Sequence, residues 1–376
     1  GSKGMSGVEK EALEVVAHSA ALVSDMFGTY VVGIGSFMLL ALASWCVGEG
    51  GEILGQKYDA SIIGGLVIAW LNTAPETIFF VTALDSNNPN FAMGAVAGST
   101  IVVCTVALGA CLYIGGNARE GKPIILQASV RKQCMILGAS VLIPLLIAAI
   151  GFSALLGGLG VISYLCFLVH SLTGSSGDDG ASKKDEDIDL EVGLGEPFEE
   201  EEEEEGSVTK GGLYLLAGGA LIVLFSSPFI NSVVEVAQVW RVSPTLLAFF
   251  LAPIASEAPE ILESVSLSRK GNLQNINIAF SNLVGGTITK TTLLSGILCM
   301  YGISREYAWE SPSYTVSLVF LALCAAVAAG IGCLQKQEPK HGIILFVCFA
   351  VAGVVQYYFN AGSGLSSFEL LEAARA

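Results

Sequence analysis

The sequence predicts an all-α polytopic membrane protein with ten transmembrane helices, arranged as two inverted five-helix repeats. Hydrophobic residues make up 53% of the 376 residues and charged residues only 14%, whereas a soluble domain carries about a quarter charged residues. Ten apolar segments approach the roughly 20 residues that a helix needs to cross a bilayer. An Ala-Pro-Glu motif occurs in the second segment of each set of five. Because five is odd, two such sets enter the membrane from opposite sides.

The ten predicted spans are joined by short connections except after the fifth, and Gly151, Gly157, Gly158 and Gly160 offer the turn between the fourth and the fifth. Residues 8–26 have helical spacing, which predicts an amphipathic lead-in or an extension of the first span. The spans cover residues 28–47, 61–84, 92–115, 134–151, 153–171, 211–230, 243–267, 275–303, 313–334 and 341–360. The predicted organisation is a lead-in (1–27), a first repeat (28–171), a loop (172–210), a second repeat (211–360) and a C-terminal tail (361–376).

Most of the negative charge lies between the two repeats. Residues 178–210 carry fifteen acidic and three basic residues, which is −12 of the formal net charge of −16. This segment has too few apolar residues to build a core and contains an unbroken Glu199–Glu205 run, so it predicts a disordered loop. The alternative to a plain solvated linker is an element at residues 178–205 that attracts cations or binds a regulatory partner.

The distribution of lysine and arginine predicts the orientation of the chain. If successive connections alternate sides, the side that holds the acidic loop collects twelve basic residues and the opposite side five. The more basic side of a membrane protein faces the cytosol. The acidic loop is therefore predicted to be cytosolic, and both termini are predicted to face the exterior or a lumen. No basic patch suggests a nucleic acid as partner.

Two carboxylates, Glu76 and Glu260, each follow a proline inside an apolar segment of membrane-spanning length. A charge in hydrocarbon is costly and usually functional. A proline inside a helix also frees the carbonyl four residues earlier, here those of Leu71 and Ala255. No nucleophile–base pair, cysteine pair or histidine cluster accompanies the carboxylates, so the sequence predicts neither an enzyme nor a cofactor. An intramembrane hydrolase with the two carboxylates as an acid pair has the least support.

The context of the two motifs is also repeated. Glu52 precedes Glu76 by 24 residues, and Glu235 precedes Glu260 by 25. A polar turn and then a span rich in small polar residues follow each Ala-Pro-Glu motif. Two such sites in corresponding halves of a membrane protein predict a binding centre between inverted repeats.

The motifs carry a resemblance to a known family. Asn72-Thr-Ala-Pro-Glu76 and Ser256-Glu-Ala-Pro-Glu260 resemble the Thr-Ser-x-Pro-Glu core of the calcium/cation antiporter superfamily, which includes sodium/calcium exchangers and cation/proton exchangers. Gly98-Ser-Thr100 and the stretch from Asn282 to Gly296 resemble the partner segments in the third and eighth spans. The resemblance implies exchange of Ca²⁺ or a related cation against Na⁺ or H⁺ by alternating access.

The resemblance also implies a set of site residues. Glu76 and Glu260 would be the central carboxylates, because Ca²⁺ takes about six to eight oxygen ligands and carboxylates are the strongest of them. Small polar side chains also hold membrane helices together, so the alternative role for each neutral candidate is helix packing. For each glutamate the alternative role is to cap a half-helix. The further oxygen donors are Asn72, Thr73, Ser99, Ser256, Glu257 and Thr287.

Three positions depart from the family pattern. Val103 stands where an Asn or Asp is usual, Lys290 falls at the comparable position of the eighth span, and Glu257 replaces a usual Ser. An unpaired lysine in the membrane would tend to lose its proton. We therefore expect a carboxylate partner for Lys290, foremost Glu257, with Glu76 and Glu260 as rivals. Alternatively, Lys290 mimics a bound cation and removes one ion site, or its amine extends to the membrane interface.

Two other functions remain open from the sequence. A sodium/proton exchanger without Ca²⁺ transport would use the same carboxylates. A non-transporting membrane subunit or sensor would keep the exchanger fold after Val103 and Lys290 had removed ion binding. Ion flux separates these alternatives from an exchanger of Ca²⁺.

Overall fold

The computed structural model describes residues 7–55, 57–85, 89–120, 122–174, 208–239, 249–250, 252–309 and 313–373, which are almost entirely helical. The acidic residues 178–205 lie outside the described residues, and their predicted disorder and regulatory partner stay predictions. The helices of the first half are α1 (Gly7–Gly55), α2 (Ala60–Ile62), α3 (Ala69–Asp85), α4 (Pro89–Ile101), α5 (Leu108–Ala118), α6 (Ala128–Ser140), α7 (Leu142–Ile150) and α8 (Ala154–Gly174). Those of the second half are α9 (Val208–Val239), α10 (Ala252–Ser256), α11 (Ala258–Arg269), α12 (Leu273–Thr289), α13 (Ser295–Ser304), α14 (Ser313–Gly332) and α15 (Pro339–Ala373).

Eight stretches of the described helices are long and apolar enough to cross a membrane. They correspond to all the predicted spans except the second and the seventh. The second forms α2 and α3 with a π-helical segment between them. The seventh contains α10 and α11, but its first residues, 243–248, lie outside the described residues. The helical membrane class is confirmed, while the count of ten spans stays a prediction.

Glycines let the two long helices α1 and α9 pack side by side. A Cβ atom at Gly50 of α1 would lie 2.8 Å from the Gly211 carbonyl oxygen, and one at Gly218 of α9 would lie 2.8 Å from the Ala43 carbonyl oxygen. Any larger side chain at these positions would separate the two backbones. Close packing through small residues is how helices associate in a membrane, where lipid removes the hydrophobic driving force.

Widened π-helical turns occur at corresponding places in the two halves. In the first half, Ile63–Ile68 precedes the helix with the Ala-Pro-Glu motif and Val102–Ala107 connects α4 to α5. In the second half, residues 249–250 are π-helical before α10, and Lys290–Leu294 connects α12 to α13. Such turns are rare and are found mostly at functional sites. This correspondence is what a repeat predicts, and the inverted orientation of the halves stays a prediction.

Three connections and the end of α1 meet at one end of the bundle. The two-residue strands β1 (Ile124–Ile125) and β2 (Lys336–Gln337) pair antiparallel and join the connection before α6 to the connection before α15. Arg119 donates to the Gly271 carbonyl oxygen at 3.0 Å, which adds the connection between α11 and α12. Lys270 of that connection pairs with Glu49 and Glu52 near the end of α1. The alternation of predicted spans puts these connections on one side; that this side is the cytosolic one stays a prediction.

The centre of the bundle is α12 and its π-helical continuation. Every side chain from Asn275 to Thr292 is buried, and the stretch packs against helices of both halves. Gly151 has φ of +85° between α7 and α8, so the turn lies at the first of the four predicted glycines, whereas Gly157, Gly158 and Gly160 lie within α8. The buried centre places several polar groups of α12 against α11, where the second Ala-Pro-Glu motif lies.

Candidate cation-binding site

The second Ala-Pro-Glu motif lies at a break between two helices. Helix α10 ends at Ser256, Glu257 forms the turn, and α11 begins at Ala258 with Pro259 in its first turn. A proline is tolerated there because the first N–H groups of a helix have no intrahelical acceptor. The break places the Glu257 and Glu260 side chains at the N-terminal end of α11, where the helix dipole favours negative charge.

Lys290 of the eighth predicted span lies against these two carboxylates. Its Nζ is 2.8 Å from Oε1 of Glu257 and 3.9 Å from Oε2 of Glu260. The Lys290 side chain has no exposed surface, and those of the two glutamates are 4% and 3% exposed. The amine therefore does not extend to the membrane interface. If all three groups are ionised, one ammonium faces two carboxylates and leaves one negative charge in the cluster.

Helix α12 approaches Glu260 through a glycine one turn before Lys290. A Cβ atom at Gly286 would lie 3.0 Å from Oε1 of Glu260. Residues four apart share a helix face, so Gly286 leaves room for the carboxylate and Lys290 supplies its counter-charge from the same face. From α1, the Ser44 hydroxyl donates to the carbonyl oxygen of Pro259 at 2.9 Å.

The structure brings some of the predicted site residues together. Ser256 Oγ is 3.0 Å from the Pro253 carbonyl oxygen and 3.4 Å from Glu257 Oε1, so Ser256 belongs to the cluster. The hydroxyls of Thr73 and Thr287 each donate to a carbonyl of their own helix, both at 2.7 Å. Their oxygen lone pairs remain for another partner. Ser99 is buried on α4 with 1% of its surface exposed.

The remaining predicted residues lie elsewhere or are not described. The backbone of Glu76 belongs to α3, but its side chain lies outside the described part of the structure. Asn72 was predicted as a neutral oxygen ligand, and its Nδ2 donates to Oε2 of Glu263 at 2.9 Å. Among the described side chains, no three His, Cys, Asp or Glu residues converge on one metal position, so a cation at Glu260 would draw on neutral oxygens as well.

Sequence reasoning missed Glu263 and Asn282. Both are fully buried, and Nδ2 of Asn282 lies 3.3 Å from Oε1 of Glu263. Glu263 follows Glu260 by three residues inside the same predicted span. The rule that a charge in an apolar span is functional would have selected Glu263, although no family motif marks it. Asn282 had no comparable signal in the sequence, because only the packing of the helices decides that it contacts Glu263.

A buried charge cluster at a helix break, within a bundle of membrane-length helices, is the arrangement typical of a secondary transporter. The family model described as sodium/calcium exchanger protein matches residues 27–173 and 210–358. The chain belongs to this family, and the match confirms the resemblance. The family is one of transporters rather than of enzymes. The protein is thus an integral membrane protein.

Two distant relatives match most of the chain. Vacuolar cation/proton exchanger 1 of Arabidopsis thaliana is 23% identical over 328 residues, which is 79% of this chain and 66% of that protein. An uncharacterized membrane protein of Methanocaldococcus jannaschii is 22% identical over 330 residues, 86% of this chain and 97% of the relative. Among solved structures, the sodium-calcium exchanger NCX_Mj superimposes with a TM-score of 0.67 at 18% identity, covering 88% of this chain and 99% of its own. This likeness establishes the fold alone.

Proposed function

We propose that the protein is a secondary active antiporter that exchanges Ca²⁺ or a related cation against Na⁺ or H⁺ by alternating access. One observation carries the proposal more than any other: Glu260 is buried at a helix break, in the middle of the bundle, beside a fixed ammonium group. The names of the relatives, which are cation/proton and sodium/calcium exchangers, support the same class of transport.

In the proposed mechanism, the two Ala-Pro-Glu glutamates form the exchange site. Glu76 and Glu260 bind Ca²⁺ or its counter-ion in turn, so that the ions compete for the same carboxylates. Neutral oxygens from Ser99, Ser256 and Thr287 complete the shell, because a hard cation needs more oxygens than two carboxylates supply. The two halves of the chain move relative to each other and expose the site first to one side of the membrane, then to the other.

Lys290 has a specific part in this proposal. Its ammonium pairs with Glu257 at 2.8 Å and thereby neutralises the carboxylate that departs from the family pattern. Glu76 and Glu260 then hold a charge of −2, which suits one divalent or two monovalent cations. The same ammonium lies 3.9 Å from Glu260, where it occupies space that a further cation would need. We therefore infer that Glu260 itself takes fewer cations per cycle, which favours H⁺ over several Na⁺ at that carboxylate.

The position of Lys290 also favours one alternative, a non-transporting subunit or sensor in which the ammonium permanently replaces the exchanged cation. Ion flux in proteoliposomes decides between the two. Ca²⁺ uptake is measured under an outward Na⁺ gradient and then under an outward H⁺ gradient, for the intact protein and for Glu76→Gln and Glu260→Gln. Glu338→Gln is the matched control, since Glu338 is half exposed and pairs with Lys340 at 2.7 Å outside the predicted spans.

An antiporter takes up Ca²⁺ under one of the gradients, loses uptake in both site variants and keeps it in Glu338→Gln. Na⁺ movement coupled to H⁺ without Ca²⁺ uptake would identify a sodium/proton exchanger. A folded protein that moves none of these ions would overturn the antiporter proposal and leave the subunit or sensor.

A further inference from the structure

A second polar cluster lies one helical turn from Glu260 and involves Glu263, Asn72 and Asn282. Glu263 has no exposed surface. Asn72 of α3 donates to its Oε2 at 2.9 Å, and Asn282 of α12 donates to its Oε1 at 3.3 Å. Three helices therefore converge on one carboxylate, and the two carboxamides reach it from the two predicted halves of the chain.

Two oxygen acceptors of the cluster have no hydrogen-bond donor. The Oδ1 atoms of Asn72 and Asn282 are both buried, and neither has a hydrogen-bond partner among the described residues. Asn282 is itself 0% exposed. A buried carboxamide oxygen without a partner is unfavourable by the full cost of its desolvation, and two at one carboxylate are unlike the usual satisfied core. Each oxygen belongs to an amide whose Nδ2 already contacts Glu263. A half-turn of the amide therefore directs its oxygen to the carboxylate.

The Glu263 carboxyl group also has no basic partner within the described residues. No Lys, Arg or His side chain described by the structure lies within 4.0 Å of its oxygens, in contrast to Glu257 with Lys290. A buried carboxyl group without a charged partner is ionised only when it coordinates a cation, and otherwise takes up a proton. Two carboxylate oxygens and two carboxamide oxygens around one negative charge are the ligands that a small, hard, monovalent cation takes.

The cluster lies between the Glu260 site and the solvent-exposed end of α1. A Cβ atom at Gly48 of α1 would lie 3.9 Å from Cγ of Glu263. One turn beyond Gly48, Glu52 accepts from Asn275 at 3.0 Å, and its side chain is 26% exposed. Asn275 and Asn282 are seven residues apart on α12, about 10 Å along one helix face. Polar groups thus lie at both ends of this stretch of α12, and Ile278 between them packs against Gly51 of α1.

We propose that Glu263, with the carboxamide oxygens of Asn72 and Asn282, is a second cation subsite that takes an alkali cation of the size of Na⁺. In the absence of the cation the two amides donate to the carboxylate; when the cation binds, they rotate and present their oxygens to it. The subsite lies between the acidic end of α1 and Glu260. This proposal rests on the proposed function only for the direction of ion movement.

Equilibrium binding tests the subsite without requiring transport. The thermal unfolding midpoint of the purified full chain is measured against NaCl, with choline chloride at equal ionic strength as the reference salt. A ligand that binds the folded state raises this midpoint in a concentration-dependent way. The variants are Glu263→Gln, which keeps the shape and removes the charge, and Asn72→Ala and Asn282→Ala, which each remove one oxygen. Glu338→Gln is the control carboxylate.

We expect Na⁺ to stabilise the intact protein and Glu338→Gln equally. The Na⁺ concentration for half-maximal stabilisation should rise at least tenfold in Glu263→Gln and at least threefold in each Asn variant. If Glu263→Gln does not fold, the two Asn variants carry the test. Equal Na⁺ stabilisation of intact and variant proteins, or none in the intact protein, overturns the subsite whether or not ion flux is observed. Loss of flux with intact Na⁺ binding at Glu263 would overturn the antiporter proposal alone.

Discussion

The Nζ of Lys290 lies 2.8 Å from Oε1 of Glu257, with both side chains buried in the centre of a membrane bundle. Glu257 lies in the turn between α10 and α11, and Lys290 begins the π-helical continuation of α12. Removing Lys290 leaves Glu257 as an uncompensated buried charge, whereas removing Glu257 leaves Lys290 with Glu260 at 3.9 Å. The arrangement therefore ties the local charge balance at the second Ala-Pro-Glu motif to the packing of α12 against α11.

The Lys290–Glu257 pair should show strong coupling in a double-mutant cycle. Lys290→Met leaves two buried carboxylates without their ammonium, and a broken buried pair costs about 3–5 kcal/mol. Glu257→Gln should cost less, because Glu260 remains 3.9 Å from Lys290. The double variant Lys290→Met/Glu257→Gln should be more stable than Lys290→Met alone. Reversible unfolding in mixed micelles measures all three free energies. Strictly additive effects would show that the two groups do not interact.

Gly286→Ala should weaken cation binding at Glu260 without unfolding the protein. The added methyl group would lie 3.0 Å from Oε1 of Glu260, so the carboxylate must move. We expect the Ca²⁺ concentration for half-maximal uptake to rise by about tenfold, which corresponds to about 1.4 kcal/mol of binding free energy. Gly330→Ala is the matched control, since nothing lies within 4 Å of a Cβ atom there. An unchanged uptake curve in Gly286→Ala would mean that Glu260 is not a ligand.

The pairing of Lys270 with Glu49 and Glu52 should make stability depend on pH in the alkaline range. Partial burial disfavours the charged amine, but the hydrogen bond and charge of Glu52, with those of Glu49, outweigh it and raise the pKa of Lys270. A pKa that is raised on folding stabilises the protein below the unfolded value of about 10.4, and this stabilisation is lost as pH rises through the folded value.

Lys270→Met should therefore unfold at a lower temperature than the intact protein at pH 8. The difference between the two should shrink as the pH is raised above 10.4, the approximate unfolded pKa of lysine. Unfolding midpoints at matched ionic strength, read from pH 8 to pH 11, give the comparison. A difference that stays constant across this range would mean that lost packing, not the charge, explains the effect.

Gln133 should contribute measurably to the packing of α6 against α12. Its Oε1 accepts from Ser281 at 2.5 Å, and its Nε2 donates to the Ser61 carbonyl oxygen at 3.0 Å. Polar contacts between membrane helices contribute about 0.6 kcal/mol each, up to about 1.7, so Gln133→Leu should cost about 1–2 kcal/mol. Met135→Leu on the same helix, where Met135 is exposed, should change little. Equal unfolding free energies for the two variants would contradict the assigned role.

Part of the candidate site could be read from the sequence. Carboxylates after prolines identified Glu260, and the cost of a buried amine required a partner for Lys290. The contact of Asn72 with Glu263 could not be read from the sequence, because a motif gives the position of a residue along its own helix and not the helix it faces. In the structure, Asn72 and Glu263 are 191 residues apart and joined by a hydrogen bond.

The sequence by itself determined the membrane class of this protein and its apolar segments, because hydrophobicity over about 20 residues is a local property. It offered four glycines for the turn between the fourth and fifth spans and placed Pro259 inside a continuous span, whereas the structure turns at Gly151 and begins α11 at Ala258. Only the tertiary structure decided that Lys290 lies nearer to Glu257 than to Glu260, and that Asn72 and Asn282 meet at Glu263. The rotation of each helix about its axis is set by close packing at residues such as Gly50, Gly218 and Gly286, and this packing involves the whole bundle at once.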